Sequence, residues 1–143
     1  MEHVAIMKRS WKHIEKILSG EKNIESRWYS MKCRPWNLIK KGEKIYFKDS
    51  GGVIRIKAEV NKVLQFDGLV SKEVQEILNK YGKDIGIQKD QSKEFFERFK
   101  NKKYCILVFL NNITEIKPFD INKTGFGMMS AWITVDSISK IKK

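Results

Sequence analysis

The sequence is poor in the residues that cross-link or interrupt a chain. Two cysteines, Cys33 and Cys105, stand far apart among 143 residues. Two thiols make neither a disulfide framework nor a structural zinc set, and His3 and His13 lie at no spacing that would complete one. The expectation is therefore no metal, no other cofactor, and reduced thiols in a cytoplasmic protein. Only two prolines are present. With no proline- or serine-rich linker, a single domain over residues 1–143 is expected. Long apolar runs are missing too. The longest, Cys105 to Leu110, is far too short to cross a bilayer. The N-terminal MEHVAIMKRS lacks the apolar stretch and cleavage site of a secretory signal. No membrane partner is expected.

Acidic residues are also scarce. Asp and Glu number 17 against 29 Lys and Arg, a formal charge of +12, with an isoelectric point near 9.7. A surface this basic attracts nucleic acid, acidic protein or anionic lipid. Lysine heavily outnumbers arginine, so a lysine-rich composition accounts for part of the charge.

What remains is well patterned. Residues 3–8 read as a short buried strand. Ser10 can cap a helix over residues 11–19, with Trp11, Ile14, Ile17 and Leu18 at helical spacing and Gly20 as its stop. Residues 24–29 alternate as a strand. Cys33 to Trp36 is a loop around Pro35. Strands follow at 44–48 and 53–60, with a turn at 49–52 and a bulge at Asn61–Lys62. Helices are expected at 72–81 and 93–100, within a helical insert over about 71–100. Residues 104–116 form a strong strand ended by Pro118, and 131–135 a last strand. Short strands, one dominant strand and intervening helices indicate an α+β fold, a small and nearly closed β-barrel with peripheral helices. A ferredoxin-like sandwich is the competing layout, and the all-strand stretch 44–66 fits it poorly.

Gly20, Lys22, Glu25 and Arg27 form G-x-K-x-x-E-x-R after a helix. Trp36, Ile39, Gly42, Ile45 and Phe47 follow in order, and then the strand with Ala58, Glu59 and Val60. This succession, over roughly residues 3–116, resembles the ASCH domain of the PUA-like superfamily. The segment GFGMMSAWITV is similar to the closing strand of longer members. The resemblance implies a PUA-like barrel with a cleft beside the first helix, the lysine, glutamate and arginine near it, and RNA as partner. One enzymatic branch, an amidohydrolase for acetylated cytidine, has threonine where Glu25 stands. Glutamate cannot replace that hydroxyl as a nucleophile without a changed mechanism.

On a strand, Glu25, Arg27 and Tyr29 share one face, so a carboxylate can orient a guanidinium toward a phosphate or base edge. We expect a basic cleft for RNA or another single-stranded nucleic acid, taking one flipped and even modified nucleotide. Lys8, Lys22, Arg27 and Lys48 would contact phosphate or base. Glu25 would orient Arg27, and Trp36 or Trp132 would stack. Trp11 and Trp28 read as core, Phe126 as a loop plug, and His13 as a solvated or capping residue. A hydrolase of RNA or of a modified nucleoside, with Lys22 and Glu25 catalytic, is the alternative. A protein-interaction module is a third possibility.

Overall fold

In the computed structural model, residues 1–127 and 130–143 are described; Met128 and Met129, inside the segment likened to a closing strand, lie outside the described residues. The elements run β1 (Glu2–Met7), α1 (His13–Ser19), β2 (Ile24–Tyr29), β3 (Lys44–Asp49), β4 (Ile54–Phe66), α2 (Ser71–Ile85), α3 (Ser92–Phe99), β5 (Tyr104–Phe119) and β6 (Trp132–Val135). The strands form one sheet in the order β2-β5-β4-β3-β1-β6. β1 and β3 run parallel, and the other neighbours are antiparallel.

The sheet is a curled, open half-barrel, and this corrects the expectation of a closed one. β2 and β6 are its two edges, and no ladder joins them among the described residues. A side chain occupies the seam instead. Arg27, on β2, donates from Nη1 to the carbonyl of Ala131 at 3.2 Å and from Nη2 to that of Ile6 at 3.3 Å. A guanidinium projecting there holds the two edges too far apart for direct pairing.

Over Cys105 to Val108 both faces of β5 are buried. Ile106 and Val108 join Ala5, Ile14, Ile45, Phe47, Ile56 and Trp132 inside the curl. Cys105 and Leu107 pack outward with Ile24 and Trp28 of β2 against Val74, Ile77 and Leu78 of α2. Period-two alternation on β2 then dictates what faces inward. Glu25 pairs with Val108 and Arg27 with Ile106, so both charged side chains turn toward the interior of the curl.

Two local departures from the expected elements have clear causes. Residues 9–11 form a 3-10 turn, and Lys12 takes a left-handed conformation (φ 55°) before α1 begins. Ser10 therefore caps nothing, and Trp11 leaves the stripe of Ile14 and Ile17. At the other end, β5 runs through Pro118. The β4–β5 register shifts between Ile54–Phe119 and Ile56–Glu115, and a bulge is where a strand tolerates a residue without an N–H. The bulge expected after Val60 coincides with another register shift, between Val60 and Lys62.

Candidate nucleic-acid interface

Gly20 ends α1 in a left-handed conformation, and the chain then passes the C-terminus of α2. The Asn23 amide donates to the Asp84 carbonyl at 2.7 Å. Gly86, at φ +97°, lies so close that an added Cβ would stand 3.3 Å from the Cβ of Lys22. This close docking buries Lys22 to 1% exposure. Its ammonium donates to the carbonyls of Ile24 at 2.9 Å and Ile85 at 2.7 Å, and it meets Glu25 Oε1 at 3.1 Å. Unpaired carbonyls at a helix C-terminus attract cations, and Lys16 uses the same end through Gly86 O at 2.9 Å.

Glu25, 3% exposed, is the centre of the cluster. Its Oε2 accepts from Arg27 Nε at 3.2 Å and Nη2 at 2.8 Å. The Arg27 guanidinium also lies over the Trp132 ring, 5.1 Å from its centre. Burial works to raise the Glu25 carboxyl, but Lys22 and Arg27 outweigh it and hold it at about 2. Burial pulls Lys22 below the usual lysine range against the opposing pull of Glu25. All three partners of the Lys22 nitrogen are acceptors, which is what an ammonium requires. A carboxylate this acidic is a weak general base, and an ammonium with every N–H committed has none left for a transition state.

The trio forms the floor of a cleft of about 610 Å³, within the roughly 300–1,000 Å³ of small-molecule sites. α1 and the 3-10 turn give one wall, with Lys8, Trp11, His13 and Lys16. The end of α2 and the start of α3 give another, through Gly86, Phe95 and Phe99. Of the residues expected in a binding site, Lys8, Lys22, Glu25 and Arg27 meet here. Lys22 is a fixed strut with its ammonium committed to protein acceptors, not the phosphate- or base-contacting cation expected from the sequence.

Three others are elsewhere. Lys48 is buried and donates to the Gly52 carbonyl at 2.6 Å, so it cannot reach a ligand in the cleft. Trp132, 3% exposed, is a core residue whose indole donates to His3 Nδ1 at 3.1 Å. Its ring is not open to a base. Trp36 packs on the core and stands edge-on to Tyr104 at 5.3 Å, away from the cleft. Phe126 packs against the cluster of Val4, Ile54 and Ile133.

Trp11, which helical spacing assigns to the core, is one of the aromatics lining the cleft. It meets Phe95 edge-on, ring centres 5.7 Å apart. Lys8 and Arg98 place their cations 4.9 and 4.5 Å from the centre of its ring. His13 was also misjudged. It lines the cleft, edge-on to Trp11 at 5.6 Å. Its imidazole is lowered to about 4, first by burial and then by Lys22, Lys16 and Arg27, with Glu25 opposing them. The signal that could have found both residues is the run KRSWKH. Three cations and a tryptophan ahead of a short helix make a poor first turn.

The fold defines a class: an open α+β half-barrel with helices packed around it. The ASCH protein of Zymomonas mobilis has this architecture, with TM-score 0.65 and 17% identity over 94% of this chain and 87% of that one. A tyrosine-to-phenylalanine variant of it superimposes with TM-score 0.68 and 16% identity over 97% and 93%. A protein of Enterococcus faecalis V583 gives TM-score 0.52 and 12% identity over 76% and 68%. The chain thus has the fold of the ASCH domain. No protein-family model matches the sequence, and no curated protein matches it. Among the described residues, no helix is long and apolar enough to cross a membrane, and no group of His, Cys, Asp and Glu is arranged to hold a metal ion.

Proposed function

We propose that this protein binds RNA or another single-stranded nucleic acid and takes one unpaired base into the cleft. One observation carries the reading. An aromatic wall, Trp11 and Phe95, stands over a buried charged floor in a chain of net charge +12. Apolar rings stack on any base face, and a basic surface holds the flanking phosphates. The ASCH fold supports the same reading, since the family resemblance implies RNA.

The roles divide by burial. Lys8, exposed on the rim, meets phosphate. A base that stacks on Trp11 displaces the Lys8 ammonium from the ring and leaves it beside the adjoining phosphate. Lys22, Glu25 and Arg27 keep the floor rigid and shape the pocket to one nucleotide. Trp36, Lys48 and Trp132 take no part.

The test is titration of a short fluorescent single-stranded RNA at several salt concentrations. The logarithm of the affinity should fall with the logarithm of salt by about 0.7 for each phosphate held. Trp11→Ala and Lys8→Ala should each weaken binding, with the folded state intact by circular dichroism. Affinity that ignores salt, or variants that bind like the parent, would overturn the reading.

A further inference from the structure

The charges on the cleft floor are already committed. Lys22 donates to two carbonyls and to Glu25. Arg27 is tied to Glu25, Ile6 and Ala131. A satisfied group discriminates poorly between ligands, because it gains nothing new from the right one. His13 is different. Its Nδ1 is shielded from solvent and has no hydrogen-bond partner among the described residues, although its ring lines the cleft. Buried polar atoms are nearly always paired, and an unpaired one is costly. The chain's other histidine shows the usual outcome. His3 Nδ1 meets Thr134 Oγ1 at 3.0 Å and accepts from Trp132, while its Nε2 meets Glu43 at 2.8 Å.

We infer that His13 is the specificity-determining residue of the cleft, hydrogen-bonding the edge of the inserted nucleobase and so selecting one base over the others. This rests on the nucleic-acid reading above. The base would reach Nδ1 through a turn of the ring about the Cβ–Cγ bond, since that nitrogen is shielded as the ring stands. A neutral imidazole offers one donor and one acceptor, the pattern that complements a base edge and not a phosphate. The lowered proton affinity of the ring keeps it neutral at physiological pH. The edge-on contact with Trp11 puts this hydrogen-bonding group beside the ring on which the base stacks.

Four single-stranded oligoribonucleotides of equal length, each of one base, are the probes. The full chain should prefer one by about tenfold, the lower range of base discrimination by a well-formed hydrogen-bonded pair. His13→Phe should level that preference. His13→Asn, whose amide oxygen lies near the position of Nδ1, should restore part of it. With labelled histidine, the ring ¹⁵N signals of His13 should move when the preferred oligomer is added, while those of His3 stay fixed. This measurement on the unaltered protein decides the matter even if the phenylalanine variant does not fold. Equal affinity for all four oligomers, a preference that survives in His13→Phe, or a His13 signal unmoved at saturation would overturn the inference and leave the cleft reading standing. If no oligomer binds in a salt-dependent way, both fall together.

Discussion

The two histidines define two regions that resemble each other in dryness and differ in completeness. Around His3, the Trp132 indole, Thr134 hydroxyl and Glu43 carboxylate satisfy both ring nitrogens, and the terminal ammonium adds a second partner for Glu43 at 3.3 Å. Around His13, four charged groups stand near, yet Nδ1 is left without a partner among the described residues. Burial lowers both imidazoles. A closed network fixes how strands meet, here β1, β6 and the loop before β3. An open one leaves bonding capacity unused beside a cavity. The regions share one indole, since Trp132 donates to His3 and lies under Arg27.

The sharpest way to probe the contrast is to unbalance the cleft floor. Glu25→Ala leaves two buried cations without their counter-charge, and denaturant unfolding should show a loss of about 3–5 kcal/mol. A loss near zero would mean the trio does not hold the seam. The next largest effect is expected from His3→Phe, which strands the Trp132 N–H and should cost about 1–3 kcal/mol by the same measurement. His13→Phe should be the mildest, within about 0.5 kcal/mol at neutral pH, because no bond among the described residues is lost at Nδ1. If it costs as much as the change at His3, the two regions are not different in kind.

The acid limb sharpens the comparison further. Both imidazoles are held below 6.5, His13 at about 4. As pH falls through 6.5 the unfolded chain takes up protons that the folded chain refuses, so stability should decline toward pH 4. Glu25, at about 2 against an ordinary 4.5, carries the decline from 4.5 down to about 2. His13→Phe should flatten the upper part of this curve and leave the lower part unchanged, as measured by unfolding across the pH range.

How much of this was legible depends on distance in sequence. The shared face of Glu25 and Arg27 followed from the period of a strand, and their mutual contact from their length. That this face turns inward depends on the register with Ile106 and Val108 of β5, which no local pattern carries. The burial of Lys22 depends on the Ile85 carbonyl, 63 residues away, so a lysine after a helix stop read as a ligand contact. Trp11 failed for a local reason. Its spacing to Ile14 is helical, but the left-handed Lys12 breaks the helix between them. The closed barrel failed because strand count and patterning say nothing about whether the last edge meets the first.

That unclosed seam bears on what could pair with the sheet. A sheet with two free edges offers neighbouring molecules a template for strand addition. Here one edge strand, β6, is only four residues long. On the other, β2, Lys22 occupies the Ile24 carbonyl, and Arg27 reaches across the seam to the carbonyls of Ile6 and Ala131. An incoming strand at β2 meets one acceptor, the Ile24 carbonyl, already taken by a cation of the same molecule. The guanidinium that spans the gap therefore stands in the way of a strand that would enter there, so one side chain shapes the pocket and obstructs the seam.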